Sequence, residues 1–461
     1  MAEATRAPST PDAPRRAAPA PILAEPNPGP ARFLLHAAYD LAWVIGIVGA
    51  APWWITQCLR SPTFRAMAKA RLVFVPLPRP EPARRRVLVH GVSVGEVKGA
   101  QALVRALRSA APDIEVVIST TTETGLAVAR KTYPDLQVVR FPLDPSWVVR
   151  RFLRRLAPVG VVLVELEIWP NFLRQSNRLG IPLAVVNGRI TDRSYGRYRH
   201  FKNLLPQFNR LTLFCVQDED YARRFRELSA DPERILITGN IKVDGLRTGR
   251  VDAAPELVRL LAGRPGQPFV VAGSTHEPEE RWIVEAVRAA APDARLVIVP
   301  RHPERAKELV RTLAELGPAP QLLTALRAGE APDPSRPALV DTIGELEQVY
   351  ALADLVFIGG SLIPHGGQNM LEPAAQGRPV VFGPHVHNFV QEVALLERAG
   401  ACVRLAGREE LAPALARLLA APEERARMAQ AGIAAVEAQK GATALTLAAL
   451  LERCLPPAAR R

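Results

Sequence analysis

From Arg86 onward the chain alternates short, continuously apolar runs with amphipathic stretches of three or four helical turns. The first series comprises VLVH (Val87–His90), a helix over Glu96–Arg108, IEVVIST (Ile114–Thr120) and a further helix, QVVRF, GVVLVELE (Gly160–Glu167), PLAVVNG (Pro182–Gly188), LTLFCVQ and ILITGN. Strands that are apolar throughout and joined by helices predict a parallel sheet covered on both faces. The series stops near Asn240, and a polar stretch from Asp244 to Gly266 leads to a second one: FVVAGS (Phe269–Ser274), RLVIVP (Arg295–Pro300), LVFIGG (Leu355–Gly360), PVVFG (Pro379–Gly383) and ACVRL. The pattern predicts an α/β protein of two Rossmann-like, doubly wound domains, over 61–244 and 245–461. Ligands in such sheets bind beyond the carboxyl ends of strands, so a cleft between facing domains is the expected site.

The N-terminal region follows another pattern. Residues 1–31 are rich in Pro and Ala with hardly a large apolar side chain, which predicts a disordered tail. Over 32–60 the chain turns apolar, and Phe33 to Ile55 is long enough to cross a bilayer. His36, Asp40 and Pro52 interrupt it, while Trp43, Trp53 and Trp54 suit a membrane interface. Two readings stay open: a membrane anchor, spanning or lying in the interface, and a buried core helix. As an anchor, residues 1–60 should be removable with transfer to a dispersed acceptor still measurable. The segment starts late and no small-residue cleavage site follows, unlike a signal peptide.

Composition narrows the partners. The 461 residues carry 59 Lys and Arg, 52 of them Arg, against 46 Asp and Glu, a formal charge of +13. That surplus favours an anionic partner: phospholipid headgroups, a phosphorylated substrate or nucleic acid. An RNP-like aromatic motif and a basic helix are both lacking, so nucleic acid is not expected. Cys58, Cys215, Cys402 and Cys454 stand far apart and the eight His are scattered, so neither a disulfide framework nor a metal site is expected. No P-loop and no G-x-G-x-x-G opens a strand–helix unit, which removes support for ATPase and dehydrogenase readings.

The unusual residues follow the last apolar position of each strand. In His90-Gly91-Val92-Ser93-Val94-Gly95-Glu96, Glu96 falls at a helix start, either facing the cleft or capping the helix. Glu165 and Glu167 close GVVLVELE, where period-two spacing places both on one face of the strand. An apolar sheet tolerates them only at its end and with partners. Asn187-Gly188-Arg189 and the run Arg193, Arg197, Arg199 and Lys202 read as a solvated basic face or as a site for an acidic substrate. In the second series, Gly273-Ser274-Thr275 could offer N–H groups to a phosphate, and Arg301-His302 places a permanent cation at a strand end. Gly359-Gly360-Ser361 through Gly366-Gly367-Gln368-Asn369 to Glu372 makes an anion nest beside a carboxylate able to hold sugar hydroxyls. Asp218-Glu219-Asp220 mimics a metal-binding D-x-D, but YARRFREL behind it makes these acids a cap and first turn.

Nine of these segments, in order, resemble the 3-deoxy-D-manno-octulosonic acid (Kdo) transferases of bacterial lipid A synthesis: HGVSVGE, STTTETG, VELEIWPN, VNGRITDRSYGRY, TGNIKVD, AGSTHE, PRHPER, DTIGELEQVYALAD and GGSLIPHGGQNMLEPAAQGRPVVFGPH. Gly91 and Gly188 stand where alanine is expected and Glu123 where proline is common. The resemblance implies the GT-B fold and metal-independent, inverting transfer of Kdo from CMP-Kdo to a phosphorylated lipid A precursor such as lipid IVA. The place implied is the cytoplasmic face of the inner membrane. It makes Glu96 the general base, with Ser93, Gly95, Glu165, Glu167, Asn187 and Arg189 around the acceptor or donor sugar. CMP falls to Ser274, Thr275, Arg301, His302, Gly344, Glu345, Gly366, Gly367, Asn369 and Glu372, with Lys242 a further nucleotide-side candidate. Another membrane-associated GT-B transferase using a UDP-sugar, and a catalytically dead binding module, remain the alternatives.

Overall fold

A computed structural model describes residues 30–78, 84–202, 207–228 and 231–455. The tail expected over 1–31 lies outside them except for its last two residues, which belong to the first helix. The chain divides into two compact units, one of residues up to Lys242 together with those from Gly441 onward, the other Val243–Lys440.

In the first unit, strands β1 (Arg85–His90), β2 (Ile114–Thr120), β3 (Gln137–Arg140), β4 (Gly160–Val164), β5 (Leu183–Gly188), β6 (Leu213–Val216) and β7 (Ile235–Ile237) form one parallel sheet in the order β3-β2-β1-β4-β5-β6-β7. Alternate residues enter different cores: Leu88, Val117 and Leu163 pack on one face, Val87, Val89 and Val162 on the other. That double burial is why the strands read as continuous apolar runs. The order reverses between β1 and β4, and this switch point opens a crevice at the strands' carboxyl ends.

The second unit repeats the plan. Strands β8 (Phe269–Thr275), β9 (Arg295–Pro300), β10 (Gln321–Leu322), β11 (Ala338–Leu339), β12 (Leu355–Ile358), β13 (Val380–Phe382) and β14 (Cys402–Arg404) lie parallel in the order β10-β11-β9-β8-β12-β13-β14. Its switch point lies between β8 and β12. The two-residue strands β10 and β11 are too short to leave a pattern and escaped the sequence reading.

One domain boundary needs correcting. The sequence reading gave all of 245–461 to the second domain, but the last helix, Ala442–Arg453, packs on the first unit's sheet. Leu450, Cys454 and Leu455 are buried with Leu107, Ile114 and Val162, and Thr446 Oγ1 donates to Thr238 Oγ1 at 3.0 Å. An amphipathic helix settles on whichever sheet leaves an apolar face open, a fact its own sequence does not encode.

The segment read as one anchor helix over 32–60 is two, α1 (Pro30–Gly49) and α2 (Ala51–Arg60), bent by 54° and followed by α3 (Pro62–Arg71). Among the described residues no single helix is long and apolar enough to cross a membrane; this bent pair passes only together. The amphipathicity of α1 is inverted. His36 is buried and Tyr39, Asp40, Trp43 and Ile47 are half-buried, an i, i+3, i+4, i+7, i+11 stripe facing the protein. Leu41 (58% exposed), Ile45 (63%) and Val48 (65%) face outward. Asp40 accepts from Ser146 N (2.9 Å) and Asn171 Nδ2 (2.8 Å) and pairs with Arg174 (3.2 Å), while Tyr39 donates to Asp144 (3.0 Å).

Candidate active site

At the first switch point the two bordering strands each deliver a carboxylate. After β1 the chain turns through Gly91–Ser93 into helix α4 (Val94–Gly99), whose N-cap is Ser93. Ser93 Oγ accepts from Glu96 N (3.2 Å) and donates to Glu96 Oε1 (2.7 Å), while Glu96 Oε2 accepts from Val92 N (2.7 Å). This is a capping box, so the cap reading of Glu96 holds in the geometry. Capping does not exhaust it, because the carboxyl stands among other charges. Burial raises its pKa above the ordinary value, hydrogen bonds from Ser93 and Val92 oppose the rise, Glu165 adds to it and Lys242 lowers it.

The second group corrects the sequence reading. Strand β4 ends at Val164, so Glu165 and Glu167 do not share a strand face. Glu165 turns the chain away with φ +65°, a left-handed conformation unusual for a side-chain-bearing residue. Its carboxylate is held by Lys242 and, at 3.5 Å, by Arg189. Lys242 reaches it across Gly99, where a Cβ would sit 2.8 Å from Lys242 Cγ. Glu167 Oε2 accepts from Trp169 Nε1 at 2.8 Å. Burial, and then the charges of Glu96 and Glu165, push the Glu167 carboxyl up to about 7 against the Trp169 hydrogen bond. Three carboxylates, one lysine and one arginine are thus gathered at this end of the sheet.

Protonation of Glu167 links to stability. A carboxyl raised in the folded state keeps a proton that the unfolded chain has lost, so stability falls as pH rises from about 4.5 to about 7. Glu167→Gln removes that penalty. Its melting temperature is expected to fall less than the parent's between about pH 5 and about pH 8, and scanning calorimetry at both pH values checks this.

In the second unit, β8 carries a register shift between Gly273 and Thr275, and Ser274 there has φ +54°. A bulge at a strand end re-aims the following chain. Across the switch point, Glu279 is fully buried and accepts from four backbone N–H groups: His276 (3.0 Å), Gly360 (2.6 Å), Ser361 (3.0 Å) and Leu362 (3.0 Å). It clamps the glycine-rich loop against β8, a role no sequence pattern announced because its partners lie about 80 residues away. That loop continues through Gly366 (φ +104°) and Gly367 (φ +80°), both in the left-handed region where glycine carries no Cβ penalty. His276, His302 and His365 gather here, with ring centroids 4.1 Å (His276–His365) and 5.8 Å (His276–His302) apart. Burial and the surrounding cations lower His276 to about 4, so it is neutral near pH 7. Arg301 is exposed at the end of β9, and Glu372 accepts from Asn369 Nδ2 at 3.0 Å. This end of the sheet brings N–H donors and cations together with the Glu372 carboxylate, a composition suited to a phosphate attached to a sugar.

A family model described as 3-Deoxy-D-manno-octulosonic-acid transferase (kdotransferase) matches residues 66–245. The 3-deoxy-D-manno-octulosonic acid transferase of Haemophilus influenzae is 31% identical over 83% of this chain and 90% of its own. The enzyme of the same description from Bordetella pertussis is 34% identical over 80% of this chain and 88% of its own. The chain belongs to the Kdo transferase family. Among solved structures, a glycosyltransferase from Rickettsia africae matches with TM-score 0.55 at 11% identity, over 80% of this chain and 97% of its own. The UDP-GlcNAc 2-epimerase of Neisseria meningitidis matches with TM-score 0.53 at 14% identity, over 80% and 100%. These two likenesses carry the fold alone, two doubly wound units of the GT-B kind.

Several residues that the Kdo transferase resemblance had assigned to ligands are occupied otherwise. Asn187 is fully buried with φ +55°, its Oδ1 accepting from Ile241 N (3.1 Å). It fixes the segment that presents Lys242 instead of facing a sugar. Lys242 itself lies in the first unit, paired with Glu165. Thr275 is fully buried with its carbonyl taken by Arg301 N (2.9 Å). Glu345 pairs with Arg327 (2.7 Å) and accepts from Thr342 (2.7 Å) next to exposed Gly344. Ser93 and Glu96 are brought together with Glu165, Glu167 and Arg189; Gly95 lies exposed on the same turn. Among the described residues no group of three His, Cys, Asp or Glu is arranged to hold a metal ion. Asp218 caps its helix through Tyr221 N (2.8 Å), as its sequence context predicts.

Proposed function

We propose that this protein transfers Kdo from CMP-Kdo to a hydroxyl of a phosphorylated lipid A precursor of the lipid IVA type, in lipopolysaccharide synthesis. The observation that carries this reading is Glu96 at the switch point of the first unit, half-buried and raised toward neutrality beside Lys242, in a chain of the Kdo transferase family. A base with a raised pKa at a sheet's ligand-binding end is suited to taking a hydroxyl proton. Glu96 accepts the proton of the acceptor hydroxyl as its oxygen forms the new bond to the anomeric carbon. The bond from that carbon to the CMP phosphate oxygen breaks on the opposite side, inverting the centre, and CMP leaves with the electron pair. Arg301, Ser274 and the N–H groups around Gly366 and Gly367 meet the charge on the departing phosphate, and Glu372 holds the ribose; the reading assigns no step to a metal.

The same reading places the protein at the cytoplasmic face of the inner membrane, resting on the outward apolar face of α1 and on Trp53, Ile55 and Leu59, which are more than half exposed. Because the polar side of α1 is tied to the protein, this is a helix that lies in the interface.

Calorimetric titration with CMP and with UDP tests the donor. CMP is expected to bind at least about 10-fold more tightly, and Arg301→Ala to weaken CMP by about 10-fold, the loss of one charge-assisted contact. A preference for UDP would replace this reading with transfer from a UDP-sugar.

A further inference from the structure

Next to Glu167 the first unit holds a cavity of about 350 Å³ that the reaction as described leaves unused. Its floor is apolar, made of Ile168, Pro170, Tyr198 and Phe208, with the last two rings edge to face at 5.2 Å. Its polar lining is cationic. Arg197 is exposed at the rim and has no carboxylate partner among the described residues. Lys202 spends one of its three N–H bonds on Glu227 O (2.9 Å), leaving two. Gln207 is 5% exposed; its Oε1 accepts from Arg210 (2.8 Å), while its Nε2 is buried with no partner among the described residues. A cavity lined by two cations and, among the described residues, no carboxylate suits an anionic ligand. The acids nearby are Glu167, whose charge acts on the Tyr198 phenol, and Glu227, which accepts from Tyr195 outside the cavity lining.

Resting on the function proposed above, we propose that this cavity is the acceptor subsite for a phosphomonoester-bearing sugar. Its ring lies on Tyr198 and Ile168, and its phosphate is met by Arg197 and Lys202. The combination disfavours a purely apolar occupant, which would leave both cations without an anion, and a free inorganic anion, which would leave the aromatic floor uncovered. A sugar phosphate carries both faces in one ligand. The cavity adjoins Glu167, so this ligand is fixed beside the carboxylate group that includes Glu96.

The test uses the full chain, CMP-Kdo, and a detergent-dispersed bisphosphorylated glucosamine disaccharide lipid, compared with the same lipid after phosphatase treatment. Replacing both Arg197 and Lys202 by Ala is expected to raise KM for the phosphorylated acceptor at least about 10-fold, with kcat and the donor KM near those of the parent. The dephosphorylated acceptor should be used equally by both proteins, and Arg197→Lys should recover most of the loss. An equal penalty on both acceptors, no penalty, or a rise in the donor KM would overturn the subsite; the last would assign the cations to the donor carboxylate. If the parent protein turns over neither acceptor, the transfer reading fails. Binding of the two lipids followed by native mass spectrometry then decides the subsite alone: phosphate-dependent binding lost in the double variant supports it, and phosphate-independent binding rejects it.

Discussion

Replacing Glu96 by glutamine is expected to lower turnover by about 10²- to 10⁴-fold while CMP affinity and the melting temperature stay unchanged. Glutamine keeps a carbonyl oxygen to accept from Val92 N and an amide to meet Ser93 Oγ, so the capping box survives and only the proton-accepting oxygen is lost. This separates the two roles that the geometry combines. A variant that melts early with turnover per folded molecule intact would make Glu96 a cap alone. The pH profile supplies the second check. Burial and the Glu165 charge raise the Glu96 carboxyl, so activity should begin to fall on acidification above the ordinary carboxylate range. Lys242→Met removes the neighbouring cation and should move that limb to higher pH still.

The second large effect lies on α1, whose two faces should fail in different ways. Asp40→Ala strips acceptors from Ser146 N, Asn171 Nδ2 and Arg174. It is expected to cost about 2–4 kcal/mol in chemical denaturation, because partly buried donors and a guanidinium lose their partner. Serine at Leu41, Ile45 and Val48 together should change stability little, since these side chains already face outward. It should release the protein from anionic vesicles in flotation, because each buried aliphatic side chain contributes about 1.5–3 kcal/mol. Vesicle binding unchanged in the triple variant would end the interfacial reading. The same contacts revise the expectation that residues 1–60 can be removed with transfer to a dispersed acceptor still measurable. Asp144, pushed up to about 6 by burial, would lose the Tyr39 hydroxyl, and the helix beginning at Pro170 would lose Asp40. That helix follows the Glu165–Trp169 segment directly, so truncation should damage the site as well as remove α1.

Where the sequence was legible, it was so because an element's own neighbours decide it. Val87–His90 and Ile114–Thr120 are buried at every position because both sheet faces are covered, and the apolar runs that this imposes can be read with no knowledge of the partner strands. Ser93 and Glu96, three apart at a helix start, announce a capping box from local geometry. The assignments that failed depend on distant chain. Asn187 looked like a ligand residue at a strand end, yet the N–H of Ile241, 54 residues on, donates to its side-chain Oδ1. Glu279 carried no signal of its own, because three of its four N–H partners lie on a loop 81 to 83 residues later. Asp40 read as a flaw in an apolar span until Asn171 and Arg174 faced it.

Sequence alone determined two doubly wound units, their strand-end chemistry, the family and the carboxylate at the start of α4, since periodicity, turn chemistry and capping act over a few residues. Only the tertiary structure decided that Glu165 leaves its strand to pair with Lys242, that the last helix belongs to the first unit, and that α1 turns its polar side inward. Those outcomes are fixed by which buried charges and apolar faces find partners far along the chain, and burial without a partner is the costliest state a polar group can occupy.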